Sequence, residues 1–210
     1  MPVTQDPGLK TDYMPHKIKQ TDFHLPKLFT GLKRGPQAML PKDIGLVIAY
    51  SGIGKESTVV DAGAGSAYLA LALANVAKQV YTYEIREDFF KLAAYNIKKS
   101  CFLNIELISG DIIQGIRQEP GTIDLVTLDM PNADLAVRHA FNCLKTGGYC
   151  LGFMPHVEQV AKFAAECRAC GFTDIFTLES IVREMLVREQ GIRPTGTGLT
   201  HTGYLVFARK

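Results

Sequence analysis

The sequence predicts a doubly wound α/β fold built on a mostly parallel sheet, and three observations carry that prediction. Short β-rich runs alternate with helical patterns from residue 41 onward, a glycine turn joins the first strand to the next helix, and the chain closes on two β-rich runs with no helix between them. Alternating strands and helices need right-handed crossovers, which bury the sheet on both faces. Successive strands without a crossover pair antiparallel, so the sheet is expected to end in a C-terminal antiparallel hairpin.

The elements follow in order. Residues 1–35 carry Pro2, Pro7, Pro15 and Pro26 and scattered charges with no sustained period, and read as an irregular arm with one short strand around 18–23. The main domain is expected over 36–210. Asp43 is the expected cap of a helix over 44–50 that stops at Gly52. STVVDA (57–62) reads as a strand, and the nearly all-apolar 66–77 as a helix packed on the sheet. The same reasoning gives strands at 79–84, 105–109, 123–129 and 149–154, and helices at 86–100, 134–144 and 156–169. A β-rich run over 173–188, a Gly/Thr/Pro loop and GYLVFAR (203–209) complete the chain.

Composition excludes several classes. Of the 210 residues, 47% are hydrophobic and 21% charged, enough apolar surface to offset chain entropy, so disorder throughout is excluded. A net charge of +2 excludes coating of nucleic acid by bulk charge and leaves room for a local basic patch. No apolar run approaches the roughly 18 residues of a membrane span. Five Cys, with no apolar leader, are expected to be reduced thiols in a cytoplasmic protein. Cys167 and Cys170 form a C-x-x-C with no second pair, so no metal site is expected. Lys98 and Lys99 are expected to form a solvated helix face, and Lys33, Arg34 and Arg193 are candidate phosphate contacts.

The sharpest motif is Asp61-Ala62-Gly63-Ala64-Gly65-Ser66, which leaves a strand and opens a helix. Glycines there let backbone approach a ligand, and a helix start offers free N–H donors. Glu84 ends the next strand, close to the roughly 20-residue spacing of a ribose-binding carboxylate. Asp111 ends the third strand, where it can accept from an adenine amine. A dinucleotide site would want a third glycine where Tyr68 stands, and Asp61 would repel a diphosphate. The acid suits the ammonium and sulfonium of S-adenosyl-L-methionine.

Four stretches then resemble a known family. KRGPQAMLPKDIGLVIAYSGI (33–53), VVDAGAGS with YEIREDFFKLAAYNIK (59–66 and 83–98), LDMP (128–131) and RPTGTGLTHTGYLVFARK (193–210) are similar to archaeal-type tRNA (adenine-N1)-methyltransferases, the TrmI family. That resemblance implies a Rossmann-like class I methyltransferase with a seven-stranded sheet. It implies that Glu84 binds the ribose hydroxyls and Asp111 the adenine amine. It places the methionine end on Gly63, Ala64, Gly65 and Ser66, and puts Gln37, Leu69, Ile85, Ile112 and Asp129 around the cofactor. It further implies a tRNA substrate methylated at position 58, or at 57 as well, and a homotetramer. The family's small N-terminal β domain is expected to be absent or degenerate in 1–35.

Asp129, at the end of the fourth strand, is the catalytic candidate. Adenine N1 already carries a lone pair, and methylation leaves the ring cationic. The reaction therefore needs alignment and negative charge more than a strong base. By the resemblance, Asp129 accepts from the target amine and Phe153, at a substrate position, can stack on a base; Arg193 is read as a substrate phosphate contact, and His201, which matches a family position, is read either as packing or as shaping the substrate adenine pocket. The chain departs from the family where D-x-P-x-P becomes Asp129-Met130-Pro131-Asn132-Ala133, and where G-S-G becomes Gly65-Ser66-Ala67. Leu40 and Phe153 stand where an aromatic and a tyrosine are usual. Two rival readings are a class I methyltransferase acting on a protein carboxylate or small molecule, and a non-catalytic tRNA-binding subunit.

Overall fold

A computed structural model describes residues 25–196 and 201–210; the strand expected around 18–23 lies outside them. The strands are β1 (Thr58–Ala62), β2 (Gln79–Glu84), β3 (Ile105–Ser109), β4 (Ile123–Leu128), β5 (Leu144–Met154), β6 (Thr173–Glu179), β7 (Met185–Arg188), β8 (Gly191–Pro194) and β9 (Tyr204–Arg209). The helices are α1 (Pro41–Ser51), α2 (Tyr68–Ala74), α3 (Glu87–Ser100), α4 (Val137–Cys143) and α5 (Val157–Cys170). Seven strands form one sheet in the order β3-β2-β1-β4-β5-β9-β6. The first five are parallel, and β9 runs antiparallel between β5 and β6. Strand order reverses between β1 and β4, the point where doubly wound sheets open a crevice.

Each face of the sheet is covered. Residues of alternating orientation, such as Val59 and Val60 on β1, enter two separate apolar clusters. The first cluster takes in α1, α2 and the 3-10 turn Lys27–Phe29, whose Phe29 ring stacks on Tyr68 at 4.6 Å. The described end of the arm, from Leu25, thus packs on the main body. The second cluster takes in α4 and α5.

Several boundaries differ from the sequence reading. The helix expected over 66–77 begins only at Tyr68, because Ala67 sits in the left-handed region at φ 60. The helix expected over 134–144 divides into a 3-10 turn, Ala133–Ala136, and α4. β5 begins at Leu144, so Gly147-Gly148 lies inside a strand rather than closing a helix. The run over 173–188 breaks at 180–184, and its second half pairs with β8 as a separate two-stranded ribbon.

Asp43 does not cap α1. Leu40 holds the cap position with Pro41 following, where proline's missing N–H costs nothing. Asp43 is instead fully buried, and its carboxylate accepts from Lys42 Nζ (2.8 Å), Ser180 Oγ (3.1 Å) and Thr202 Oγ1 (2.8 Å). Lys42 also donates to the Ser180 carbonyl at 2.7 Å. The network ties α1 to the end of β6 and the approach to β9. Asp43→Ala strands the Lys42 ammonium in a nearly dry site, a change that costs about 3–5 kcal/mol when a buried pair loses one partner. Urea unfolding of that variant should show a midpoint far below wild type.

Candidate active site

The glycine turn after β1 is forced by a close approach. Gly63 has φ +90, and a Cβ placed there would fall 2.0 Å from the Asp129 carbonyl oxygen. Only glycine lets the turn cross the end of β4 at that distance. The Gly63 and Ala64 N–H groups both donate to the Tyr83 carbonyl, and the Asp129 N–H donates to the Ala62 carbonyl at 2.9 Å. The ends of β1, β2 and β4 are thereby locked together around the turn.

A cavity of about 430 Å³ opens there, within the range of small-molecule sites. Of the residues anticipated at the cofactor, Gln37, Gly63, Gly65, Glu84, Ile85, Asp111, Ile112 and Asp129 line it. Glu84 is buried, and its two oxygens accept from the backbone N–H groups of Gly65 and Arg86, each at 2.9 Å. Asp111 accepts from the Ile113 N–H at 2.9 Å and so caps the 3-10 turn Ile112–Gln114. Asp129, Met130 and Pro131 also line the cavity.

Asp61 takes a different place from the one expected of it. It is 1% exposed and does not line the cavity. Its oxygens accept from Thr82 Oγ1 and Thr127 Oγ1, each at 2.6 Å. Those threonines are its register partners on β2 and β4. Burial pushes the Asp61 carboxyl up, against the two hydroxyls that hold it down. Burial and the neighbouring Asp61 charge push Asp129 up to about 7.

Ala64, Ser66 and Leu69 stand behind the lining rather than in it: Ser66 and Leu69 are buried, Leu69 in the first core cluster. The three anticipated substrate residues also lie outside the cavity lining. A Cβ at Gly203 would meet the Phe153 ring at 2.7 Å, so this ring packs against β9. His201 bridges Glu179 Oε1 (2.6 Å) and the Pro155 carbonyl (3.0 Å), tying the ends of β5 and β6 together; the Glu179 carboxylate raises its pKa. Arg193 is exposed on β8. The Cys167 and Cys170 thiols are buried, and desolvation pushes Cys167 up to about 12, which disfavours a thiolate ligand.

Among the residues that the sequence reading did not place at the site, two hold it by hydrogen bonds. Tyr83 lines the cavity, and its hydroxyl accepts from the Arg117 N–H and donates to Gln118 Oε1, pinning the loop after Asp111. Asn96, fully buried on α3, accepts from the Lys33 N–H and donates to the Lys33 and Ser66 carbonyls. It clips the segment leading to Gln37 onto the glycine turn. A polar residue at a buried helix position was the available signal, but its partner lies 63 residues away.

The chain is similar to known proteins over most of its length. The family model described as "tRNA methyltransferase complex GCD14 subunit" matches residues 24–195. The chain belongs to this family. A curated relative, the tRNA (adenine(57)-N(1)/adenine(58)-N(1))-methyltransferase TrmI of Methanocaldococcus jannaschii, is 35% identical over 85% of this chain and 73% of its own length. The TrmI of Thermus thermophilus is 26% identical over 93% and 79%. The crystal structure of tRNA (m1A58) methyltransferase TrmI from Aquifex aeolicus superposes with a TM-score of 0.81 at 27% identity, covering 87% of this chain and 74% of that one. The fold is therefore that of the class I methyltransferases, with the Rossmann-like sheet and reversed final strand expected from the sequence.

The chemistry of the donor set fits S-adenosyl-L-methionine. Glu84, Asp111 and Asp129 bring three carboxylates to one cavity from the ends of β2, β3 and β4, acceptors for hydroxyls, an amine and positive charge. A diphosphate would meet repulsion from all three. The close approach at Gly63 makes a direct check. Gly63→Ala combines left-handed strain with overlap on Asp129, at about 2–5 kcal/mol together. Thermal unfolding should fall and calorimetric cofactor affinity weaken in step; wild-type values for both would refute the close approach.

Proposed function

We propose that this protein transfers a methyl group from S-adenosyl-L-methionine to N1 of a T-loop adenine in tRNA, at position 58 and, as in the M. jannaschii relative's name, at 57. The observation that carries this reading is Asp129: a half-buried carboxylate in the lining of the cavity that Gly63 and Gly65 of the glycine turn also line. When bound, S-adenosyl-L-methionine supplies an electrophilic methyl group on a sulfonium. Glu84 accepts from the ribose hydroxyls, Asp111 from the adenine amine of the cofactor, and Ile85 and Ile112 flank its purine. Backbone of Gly63 and Gly65 holds the methionine end, with Gln37 closing the cavity mouth. Asp129 accepts from the exocyclic amine of the target adenine, which orients N1 and offsets the positive charge that grows on the ring.

Family membership and the relatives' activities support this over a carboxylate or small-molecule substrate. Glu84, Asp111 and Asp129 standing together in the cavity support it over a decayed, non-catalytic subunit. We place the protein in the cytoplasm as a homotetramer. The β7–β8 ribbon supports self-association, since Val187 and Ile192 are 76% and 66% exposed. Among the described residues no helix is long and apolar enough to cross a membrane.

Nucleoside mass spectrometry of unmodified tRNA after incubation with protein and labelled cofactor tests the assignment. N1-methyladenosine confined to the T-loop is expected; a methylated protein or small molecule in its place would overturn it. Asp129→Asn should slow single-turnover methyl transfer by about a hundred- to a thousandfold, the worth of one such electrostatic contact. Cofactor affinity should change far less, because Glu84 and Asp111 hold the nucleoside end.

Asp129 also makes cofactor binding pH-dependent. Its pKa stands at about 7 in the free protein, so near pH 7 it is about half protonated. Positive charge in the cavity favours the carboxylate and lowers that pKa. Asp129 should therefore lose its proton on binding, and affinity should rise from pH 6 to pH 8. The free protein has the opposite dependence. A carboxyl raised above its usual 3.8 favours the fold below pH 4, and that contribution fades as pH climbs through 7. Calorimetry in two buffers of different ionisation enthalpy measures the released proton, and Asp129→Asn should abolish it.

A further inference from the structure

The segments 25–37 and 92–105 contain five basic residues, Lys27, Lys33, Arg34, Lys98 and Lys99, and no acidic one. They lie far apart in sequence, yet Asn96 binds both backbone groups of Lys33 and holds the first segment against α3. The consequence is visible at Tyr95, an exposed ring on α3. Lys33 Nζ lies 4.1 Å from the ring centroid and Lys99 Nζ 6.0 Å from it. Lys99 also donates to the Gly31 carbonyl, and Lys98 stands exposed beside it. Among the described residues no carboxylate pairs with Lys33, Lys98 or Lys99. The acids of α3, Glu87 and Asp88, sit in its first turn and already pair with Lys91 and Arg86.

Gathering like charges on one ring costs free energy through mutual repulsion, and a polyanion would reverse that cost. The cations are spaced along a rigid helix and a clipped backbone, so little order is lost when they meet a ligand. An aromatic ring among them adds a surface for a ribose or base face. The patch is also placed with respect to the cavity. Phe89 and Arg86, at the start of α3, line the cavity. Lys98 follows nine residues later on the same helix, about 14 Å along its axis. Resting on the tRNA reading above, we infer that Lys33, Lys98 and Lys99, arranged around Tyr95, form a docking patch for the sugar–phosphate backbone of the substrate RNA. It grips phosphates flanking the target while the base enters the cavity. Such contacts fix register without reading sequence.

The test compares wild type with Lys33→Ala/Lys98→Ala/Lys99→Ala, using unmodified tRNA transcript as the probe. KM for tRNA should rise roughly tenfold or more at about 0.1 M salt, with kcat within about twofold and cofactor affinity unchanged. The slope of log affinity against log salt should shrink by about 1 for each phosphate no longer gripped. The corresponding triple Lys→Arg variant should behave as wild type. The Lys98 side chain makes no hydrogen bond or ion pair among the described residues, so Lys98→Glu guards against a folding defect and should also raise KM. Unchanged tRNA affinity and salt slope in these variants, with wild-type methylation intact, would overturn the patch and leave the tRNA reading standing. A wild-type protein that neither binds nor methylates tRNA would overturn both.

Discussion

The Asp61 carboxylate, buried in the middle of the sheet, sets the position of everything around it. A charge without water needs hydrogen bonds, and here they come from Thr82 on β2 and Thr127 on β4, the two residues in register with it. A slip of either neighbour by one residue would turn its threonine to the opposite face and leave the charge unsatisfied. Register at the centre of the sheet is therefore fixed from both sides. That register brings the ends of β1, β2 and β4 to one level. Glu84 then meets the Gly65 N–H, and the Asp129 carbonyl fits against a residue with no side chain.

The same charge acts beyond its hydrogen bonds. Asp61 reaches Asp129 through the protein interior, where a charge is weakly screened, and with burial it lifts the Asp129 pKa to about 7. A cavity walled by Glu84, Asp111 and Asp129 is costly while empty of positive charge and favourable once a cation enters. Site and scaffold are coupled in this way: the group that aligns the strands also tunes the residue proposed to stabilise the methylated ring. Outside the cavity the sign reverses, with Lys33, Lys98 and Lys99 on the flank of α3. A cationic cofactor and a polyanionic substrate would thus be drawn to adjoining surfaces.

Long-range polar links hold the periphery. Lys42 and Asp43 join α1 to Ser180 and Thr202. His201 joins the ends of β5 and β6, a scaffolding position set apart from the cavity. Asn96 fastens the segment that ends at Gln37. Each link joins segments far apart in the chain, and a directional hydrogen bond fixes their placement more narrowly than apolar packing does. Phe153 and His201, matched to substrate positions by resemblance, support β9 and its approach, whereas Tyr83 and Met130 reach the cavity.

The sequence alone determined the alternating fold, the reversed final strand, and the glycine turn with Glu84, Asp111 and Asp129 at strand ends. Those features depend on local period, on residue type and on the rule that ligands bind at the carboxyl edge of such a sheet, all readable along the chain. Tertiary structure alone decided which acids line the cavity. Asp43 looked like a cap because its partners Ser180 and Thr202 lie 137 and 159 residues away. Asp61 looked like a cofactor ligand because its threonines become neighbours only through strand register. Lys33 read as a candidate phosphate contact and Lys99 as part of a solvated helix face, with nothing to join them, because their meeting over Tyr95 depends on a buried Asn96. Side-chain orientation at a site is set by pairing and packing between distant segments, and a one-dimensional pattern carries no term for that distance.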